Sequence, residues 1–443
     1  MTASIDVPAD VSAQRPPLRT VAVLTLGCKL NQAESDAIAR ELTAAGCAVF
    51  DRPAAADAFV INSCSVTHVA DRKSRHLVRL ARRLSPDATI VLTGCFPETA
   101  GFDAALAIGA DLVVPSRDKA EVVRRLLAHR PSAGASPAKA AGLRTRAFVK
   151  AQEGCNDVCA FCIVPRTRGR ERSFDPRDVA AVVREREEEG AQEVVITGTQ
   201  LGAYGRDLDT ERFGPAAVIR TLLSETSVPR IRFSSLQPQD MTPELLALWE
   251  DPRLCRHFHL ALQSGSATVL RRMRRRYQKD QYRAALRAIR DAVPDVAITT
   301  DVMVGFPGET DAEHAESIAF CREAAFAQMH VFPYSRRPGT TANRLADHVP
   351  PDVKRTRLDE MLSVARESAA GFRRRYLGRT MTVLWEQIVR RDGVPAWEGL
   401  TDNYIRAVTT SSHDLHNRLL PIHLMHEEDG AVTGALIGDT QRP

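Results

Sequence analysis

The feature that most constrains this chain is a group of three cysteines within eight residues, Cys155, Cys159 and Cys162, spaced C-x3-C-x2-C. A loop that folds back on itself can direct all three sulfurs at one metal centre. A structural zinc site uses four protein ligands, whereas a site that carries out chemistry keeps one position open. An iron–sulfur cluster held by three cysteines likewise leaves one iron free to bind a molecule that is not protein. The alternative is a zinc knuckle with a distant fourth ligand.

Length, composition and charge limit the architecture and the partners. A chain of 443 residues is too long for one compact core, so two or three domains are expected. No apolar run approaches the roughly 20 residues needed to cross a bilayer, and we expect a cytoplasmic protein without membrane contact. The net charge of +5 permits a nucleic-acid partner without requiring one. The nine cysteines are an odd number, which argues against a complete disulfide framework and favours metal ligation.

Residues 20–130 alternate short apolar segments with helical ones. The predicted strands are 21–26, 58–61, 89–92 and 112–114. This β-α-β-α-β order predicts an open parallel sheet. Cys28, Cys64 and Cys95 each fall at or just past the carboxyl end of one strand, the edge at which open α/β sheets bind ligands. We therefore expect these three thiols to converge, the alternative being three buried structural cysteines.

One helix of this region is basic on one face. It lies between the second and third predicted strands. Its basic residues are Arg72, Lys73, Arg75, Arg79, Arg82 and Arg83.

The rest of the chain predicts a second α/β domain and a small β domain. A Pro/Gly/Ser-rich linker, 131–146, leads to six strand–helix units in 147–377. Six units favour a parallel partial barrel, whose site lies at the carboxyl ends of its strands. The predicted strands are 147–150, 193–197, 230–234, 257–260, 297–304 and 329–332. Residues 378–443 predict a small β-barrel, and residues 1–19 predict a disordered tail.

Six segments, in this order, resemble motifs of the radical S-adenosylmethionine (SAM) methylthiotransferase family. They are TLGCKLNQAESD (25–36), INSCSVTHVADRKSR (61–75), VLTGC (91–95), EGCNDVCAFCIVPRTRGRERS (153–173), HLALQSGS (259–266) and TTDVMVGFPGET (299–310). A further segment, GLTDNYIRAVT (399–409), resembles the signature of the family's C-terminal TRAM domain. The resemblance spans about 20–437. It implies an N-terminal three-cysteine domain, a central radical SAM barrel of the (β/α)6 type and a TRAM-like RNA-binding barrel.

The resemblance also implies two [4Fe–4S] clusters. The radical SAM cluster would be held by Cys155, Cys159 and Cys162, with SAM on its open iron, and an auxiliary cluster by Cys28, Cys64 and Cys95. SAM would serve both as methyl donor and as radical source. The expected SAM contacts are Phe161, Gly198, Thr199, Gln263, Ser264, Asp301 and Gly305. Plain alternatives remain for several of them: a core aromatic for Phe161, a turn at Gly305 and solvated loop residues for the polar ones. Thr199 and the neighbouring Gln200 differ from the residues associated with this family branch.

The form GCKxNQ at 27–32 resembles the branch that methylthiolates carbon 2 of N6-threonylcarbamoyladenosine next to the tRNA anticodon. Within the family, the rival substrates are isopentenyladenosine in tRNA and an aspartate of a ribosomal protein. Outside it, the rival is a non-catalytic iron–sulfur or zinc RNA-binding protein.

The implied partners are a tRNA, an electron donor such as flavodoxin or ferredoxin, and a sulfur donor that the sequence does not identify. The expected RNA contacts are Arg166, Arg168, Arg170 and Arg172 beside the cysteine loop, and Asn403 and Tyr404 in the small barrel. A second group is equally well explained as a solvated helix face: Arg271, Arg272, Arg274, Arg275 and Arg276.

Overall fold

A computed structural model describes residues 16–134, 145–208 and 214–437. They fall into two compact units, the first containing 16–134 with Arg166–Arg168 and the second containing the rest. The predicted α/β class is confirmed, since the first unit holds a parallel sheet and the second holds parallel strands followed by a closed β-barrel. In these described ranges, no helix has the length and apolar character needed to cross a membrane.

The first unit is built on a five-stranded parallel sheet in the order β2-β1-β3-β4-β5. Its strands are β1 Thr20–Thr25, β2 Ala48–Phe50, β3 Ala58–Ser63, β4 Thr89–Gly94 and β5 Leu112–Val113. Its helices are α1 Lys29–Ala44, α2 His68–Leu84, α3 Cys95–Ala100, α4 Phe102–Ala107 and α5 Val122–His129. Neighbouring residues of β3 belong to different apolar clusters, Val60 to one and Ile61 to the other. Because strand side chains alternate, the sheet is covered by apolar contacts on both faces.

The predicted four strands of this sheet are present, and β2 is an edge strand that the sequence did not indicate. Leu18, which the predicted tail included, is fully buried, and its amide donates to the Pro131 carbonyl at 2.8 Å. Ordered packing therefore begins before Thr20 and includes the start of the predicted linker. Residues 1–15 of the predicted tail and 135–144 of the linker lie outside the described residues.

The second unit begins with six parallel strands in two three-stranded sheets, β6-β9-β10 and β11-β12-β13. A short antiparallel pair, β7 Gln152–Glu153 and β8 Arg172–Ser173, follows β6. The six parallel strands are β6 Arg146–Lys150, β9 Glu193–Thr197, β10 Arg230–Phe233, β11 His257–His259, β12 Ala297–Val304 and β13 Gln328–Pro333. A parallel bridge between Leu236 and Leu260 connects the two sheets. All six predicted strands are present.

Helices alternate with these strands and pack on one face of them. They are α7 Pro176–Glu188, α8 Pro215–Glu225, α9 Pro243–Ala247, α10 Ala267–Arg272, α11 Lys279–Ala292, α12 Asp311–Ala324 and α13 Pro351–Arg374. A one-turn helix, α6 Val164–Thr167, lies in the connection between β7 and β8. Ile196, Phe233 and Ile298 belong to the apolar cluster shared with the helices. The strand positions that alternate with them face the other way and are largely polar, among them Glu193, Arg232, His259, Asp301 and His330.

A closed barrel of five strands, in the order β14-β15-β16-β18-β17, ends the chain. Its strands are β14 Thr380–Arg391, β15 Val394–Thr401, β16 Arg406–Thr409, β17 Leu419–Glu428 and β18 Ala431–Leu436. The predicted small β-barrel is therefore confirmed. It packs at the amino ends of the parallel strands, since Ala297 at the start of β12 shares an apolar cluster with Trp385 and Ile405. The loops at the carboxyl ends are left for a site.

Candidate functional site

The three cysteines of the first unit lie at the carboxyl edge of its sheet, as expected. Cys28 precedes α1, Cys64 follows β3 and Cys95 begins α3. Gly27, at a φ of +104°, makes room for this arrangement, because a Cβ added there would stand 3.0 Å from the Cys64 sulfur. A side chain at this position would collide with Cys64 and adopt a backbone conformation that disfavours L residues.

A second glycine sets the position of Cys95. Gly94 has a φ of +95°, and a Cβ added to it would stand 2.3 Å from the Ser63 carbonyl oxygen. The ends of β3 and β4 therefore approach each other closely, and with them Cys64 and Cys95.

These thiols also interact electrostatically. Burial raises the pKa of the Cys64 thiol to about 11, with smaller upward effects from Cys95 and Cys28 and an opposing backbone hydrogen bond from Val66. Cys64 and Cys95 are buried, whereas Cys28 is exposed. Thiols must lose their protons to bind a metal, so metal binding at this edge would release protons.

A buried charged network lies in the same unit. Arg168 Nη1 donates to Glu34 Oε1 at 2.8 Å, and Lys119 Nζ bonds to the other oxygen of that carboxylate. The three side chains are at most 6% exposed. Arg168 also donates to Asn31 Oδ1 and interacts electrostatically with Cys95 and Cys28. Two basic side chains share one carboxylate here, so this buried network places positive charge beside the cysteines.

The expected RNA contact of Arg168 is therefore wrong. Its side chain is buried in the first unit. Burying a guanidinium without a counterion is costly, and Glu34 supplies that counterion. Of the other arginines expected there, Arg166 and Arg170 are exposed. Arg172 is largely exposed, bonds to Glu153 and lies 5.3 Å from the Phe174 ring centroid.

In the second unit, the β7–β8 pair forms the base of the loop that carries Cys155, Cys159 and Cys162. Gly154 permits this pairing, since its φ is +71° and an added Cβ would stand 1.9 Å from the Arg170 carbonyl oxygen. Burial raises the pKa of Cys155 to about 11 and that of Cys162 to about 12, and Cys159 adds to both shifts. The loop therefore gathers the three thiols within electrostatic reach of one another.

The segment after α10 holds this loop in place. Arg275 Nη1 donates to the Cys159 sulfur at 3.1 Å, and Arg276 forms an ion pair with Asp157, Nε–Oδ1 2.7 Å. The Ala160 amide donates to the Met273 carbonyl at 2.9 Å. For Arg275, a solvated helix face is thus the wrong interpretation, whereas Arg276 is about half exposed and paired with Asp157. Nothing in their sequence distinguishes these two arginines from their exposed neighbours.

Polar atoms without partners lie in the strand-end loops near these thiols. Thr199 Oγ1, Gln200 Nε2 and Gln263 Oε1 are buried and have no hydrogen-bond partner among the described residues. The Cys155 thiol donates to Gln200 Oε1 at 3.5 Å, which places Gln200 beside the cysteine loop. Gln263 has a strained φ of +65°. Buried polar atoms are normally satisfied, so these three atoms are available to a polar ligand, and Gln200 is the residue with a contact to the cysteine loop.

The remaining expected SAM residues have contacts within the protein. Phe161 packs against the apolar cluster of Val269, Met273 and Phe306. The Ser264 hydroxyl lies 3.1 Å from that of Ser317. The space beside Gly198 is occupied by Leu201 and Gln152, and the space beside Gly305 by the stem of Lys354. Packing accounts for glycine at both positions.

Asp301 lies between two histidines that the sequence did not implicate in any site. His259 Nε2 is 3.2 Å from its Oδ2, and His330 Nδ1 is 3.3 Å from its Oδ1. Burial alone would raise the pKa of Asp301, but the hydrogen bonds from His259 and His330 hold it well below its usual range. The bond to Asp301 raises the pKa of His330. Asp301 therefore stays ionised.

The expected RNA contact of Asn403 is also wrong. Asn403 is fully buried, accepts from Thr401 Oγ1 at 2.7 Å and donates to the Asp295 carbonyl at 3.2 Å. The Tyr404 ring stacks on His257, with centroids 4.1 Å apart, and lies 5.2 Å from the Arg232 guanidinium. Both residues attach the small barrel to the parallel strands. The sequence motif that contains Asn403 and Tyr404 is recognisable, but it does not show that their side chains face the parallel strands.

No group of three or more His, Cys, Asp and Glu side chains in the described ranges could hold a single metal ion. The cysteines of a four-iron cluster bind different irons, so they need not meet at one point. Thiolates are the soft donors that such clusters use. The donor chemistry of both cysteine sets therefore fits iron–sulfur clusters.

Comparison with protein families gives matches in both units. Residues 149–321 match the model described as the Radical SAM superfamily. Residues 20–114 match the model described as the uncharacterized protein family UPF0004.

Characterised relatives match over most of the chain. Threonylcarbamoyladenosine tRNA methylthiotransferase MtaB of Bacillus subtilis is 35% identical, with 92% of this chain and 94% of the relative covered. The enzyme of the same name from Thermotoga maritima is 33% identical, with 84% and 88% covered. The tRNA-2-methylthio-N(6)-dimethylallyladenosine synthase of Acidothermus cellulolyticus is 35% identical, with 83% and 77% covered.

Among solved structures, the radical SAM methyltransferase TsrM from Kitasatospora setae has a similar fold. The TM-score is 0.55 at 13% identity, with 74% of this chain and 77% of that chain covered. At this identity the likeness concerns the fold alone.

Proposed function

Because this chain belongs to the radical SAM methylthiotransferase family, we propose that it transfers a methylthio group to carbon 2 of N6-threonylcarbamoyladenosine next to the tRNA anticodon. The observation that carries the choice of nucleoside is the similarity to the Bacillus subtilis MtaB protein, 35% identical over 92% of this chain. The GCKxNQ form at 27–32 supports the same branch. The second candidate is isopentenyladenosine in tRNA, favoured by a dimethylallyladenosine synthase of equal identity over 83% of this chain.

Membership of the radical SAM superfamily implies SAM and one [4Fe–4S] cluster. Cys155, Cys159 and Cys162 would hold that cluster, since they offer three soft ligands and leave one iron open. The unpartnered atoms of Thr199, Gln200 and Gln263 would contact the polar groups of SAM. When bound, the cluster and SAM supply radical chemistry that the unactivated C2–H bond requires and that no side chain provides.

The chain's own residues prepare this site. The β7–β8 pair closes the cysteine loop, and Arg276 with Asp157 fixes its orientation. Arg275 donates a hydrogen bond to the Cys159 sulfur and so fixes the position of this ligand. Cys155 and Ala160 are buried, whereas Cys159 and Cys162 are partly exposed and remain accessible to a ligand.

A second [4Fe–4S] cluster, on Cys28, Cys64 and Cys95, belongs to the same proposal. Its support is the close approach of these thiols at one sheet edge and the buried network of Arg168, Lys119 and Glu34 beside them. An open iron at this edge would hold the sulfur to be transferred. The electron for the radical step would come from a donor such as flavodoxin or ferredoxin.

The small barrel would contact RNA in the manner of a TRAM domain. Its support is the pair Arg390 and Arg391 beside exposed apolar side chains, at a cleft of about 480 Å³ that is also lined by the acids Asp392, Glu428 and Asp429. The neighbouring Ile388 is 60% exposed and Val394 55% exposed. Cations beside exposed apolar side chains suit phosphates and bases together. This surface replaces Asn403 and Tyr404 as the expected contact.

Mass spectrometry of tRNA nucleosides tests the proposal. A strain lacking this gene should lose the 2-methylthio derivative of N6-threonylcarbamoyladenosine and regain it on complementation. Loss of the isopentenyladenosine derivative instead would favour the second candidate. An unchanged nucleoside profile would contradict both.

A further inference from the structure

Helix α2 carries more positive charge than its packing uses. Between His68 and Leu84 it contains six arginines and lysines and one acid, Asp71. Two of the cations have roles in the fold. Arg82 forms an ion pair with Asp111 at 2.8 Å and donates to the Ala88 carbonyl at 2.9 Å, and Arg75 lies 5.6 Å from the Phe96 ring centroid.

The outer side of α2 is different. Four basic residues follow the spacing i, i+4, i+7, i+11, which places them in line on one side of the helix: Arg72, His76, Arg79 and Arg83. All four are exposed, and no hydrogen bond or ion pair joins them to other residues in the described ranges. We call these four residues the basic row. At a rise of about 1.5 Å per residue it is about 16 Å long.

Folding does not explain the basic row. Like charges three or four residues apart on a helix repel each other, so Arg75, Arg79 and Arg83 destabilise α2. A surface helix that serves only solubility normally mixes both signs of charge. Such a helix face is consistent with binding an anion.

The basic row begins at the edge that carries the three thiols. α2 starts four residues after Cys64, and Ser74 Oγ donates to the Cys64 carbonyl at 3.0 Å, which ties the helix to that strand end. Val66 and Val69 lie at this end and are 54% and 48% exposed. The basic row thus leads to exposed apolar side chains and then to the thiol edge.

We propose that the basic row binds the phosphate backbone of the substrate RNA, and that Val66 and Val69 contact a base or ribose next to the target nucleotide. This inference rests on the proposed function. A nucleic-acid strand offers regularly spaced phosphates alongside flat apolar bases, and the row with its two valines offers the complementary groups. An acidic protein would match the charges, but it would leave the adjoining valines unexplained.

The test compares two charge-matched variants of the full-length protein. In Arg72→Glu/Arg79→Glu the basic row is reversed, and in Arg52→Glu/Arg125→Glu two exposed arginines of the same unit are reversed. Both variants lose the same formal charge. The probe is an anticodon stem–loop RNA hairpin, and the measurement is its fluorescence anisotropy titration at several salt concentrations.

The row variant should bind the hairpin about tenfold more weakly, and the salt dependence of its affinity should become shallower by roughly 0.7–0.9 in log–log slope per lost contact. The control variant should stay within about twofold of the unaltered protein. Circular dichroism melting checks the fold. Should the reversal unfold α2, Arg72→Gln/Arg79→Gln removes charge while also relieving the repulsion.

Other outcomes overturn the inference. If the unaltered protein binds the hairpin and the row variant binds it equally well, the basic row is not an RNA contact, although the proposed function stands. Equal weakening of both variants would indicate a general charge effect. If the row variant keeps its affinity for RNA but binds flavodoxin more weakly, the basic row is a protein-docking surface instead. If the unaltered protein binds no RNA, the proposed function fails as well.

Discussion

The guanidinium of Arg275 donates a hydrogen bond to the sulfur of Cys159, with 3.1 Å between Nη1 and Sγ. Tyr277 holds the same side chain, since Arg275 Nε donates to its hydroxyl at 3.1 Å and the guanidinium lies 4.8 Å from the ring centroid. A fixed positive charge and hydrogen bonds to a ligand sulfur both stabilise the more reduced, more negative state of an iron–sulfur cluster. We therefore propose that Arg275 positions Cys159 and would raise the reduction potential of a cluster bound there.

Replacing this charge should shift the midpoint potential of the cluster while leaving the iron content of the protein largely unchanged. In Arg275→Gln we expect a cluster midpoint potential more negative than that of the unaltered protein, with slower reductive SAM cleavage, and Arg275→Lys should recover part of the difference. Potentiometric titration followed by electron paramagnetic resonance measures this. Arg274→Gln is the matched control, since Arg274 is exposed. An unchanged potential in Arg275→Gln would refute this role.

The buried network of the first unit predicts that two of its variants lose different amounts of stability. Glu34→Gln leaves Arg168 and Lys119 buried without an anion, so we expect a loss of about 3–5 kcal/mol in the free energy of unfolding. Arg168→Met leaves Lys119 paired with Glu34 and fills the space with an apolar stem, so its loss should be much smaller. Urea denaturation gives both values. Equal losses, or a larger loss in Arg168→Met, would contradict the account.

The sequence predicted most of the fold and the grouping of the cysteines at strand ends, because both depend on local pattern. Apolar runs at regular spacing marked every long parallel strand, and the Gly–Cys and Ser–Cys strand ends marked the first thiol edge. It failed for side chains whose partners are distant in sequence. Arg168 pairs with Glu34, and Asn403 bonds to the Asp295 carbonyl. Exposed and buried arginines look alike in a sequence, since tertiary pairing decides which is which.

The ion pair between Asp301 and His330 predicts that the stability of the protein depends on pH. The pKa of Asp301 is lowered in the folded protein, so its contribution is present above its unfolded pKa of about 4 and is lost as pH falls below that. The pKa of His330 is raised, so its contribution is present below an unfolded pKa of about 6.5 and is lost as pH rises through the folded value. The pair should therefore stabilise the fold most between about pH 4 and 6.5.

Urea denaturation of the unaltered protein and of Asp301→Asn across this range measures the effect. The destabilisation caused by Asp301→Asn should be larger near pH 6 than near pH 9. In a His330→Gln background that difference should diminish. A destabilisation that does not vary with pH would show that the ion pair is absent in solution.

Tyr404 attaches the small barrel to the parallel strands, and its variants should affect stability rather than RNA binding. Tyr404→Ala loses the stack on His257 and the contact with Arg232, so we expect a loss of about 1–3 kcal/mol in the free energy of unfolding. Tyr404→Phe keeps the ring and should lose less. Thermal melting, together with hairpin binding measured well below the melting temperature of each variant, separates the two roles. Weakened RNA binding with unchanged melting would restore Tyr404 as an RNA contact.

The most direct test of the account is iron analysis together with SAM cleavage after anaerobic reconstitution, in the unaltered protein, Cys159→Ala and the combined Cys28→Ala/Cys64→Ala/Cys95→Ala variant. We expect about eight irons in the unaltered protein, four for each of two clusters. The combined variant should keep about four irons and cleave SAM without forming methylthio product. Cys159→Ala should also keep about four irons, on Cys28, Cys64 and Cys95, but it should neither cleave SAM nor form product. Zinc in place of iron, or a combined variant with the full iron content, would contradict two cluster sites on these six cysteines.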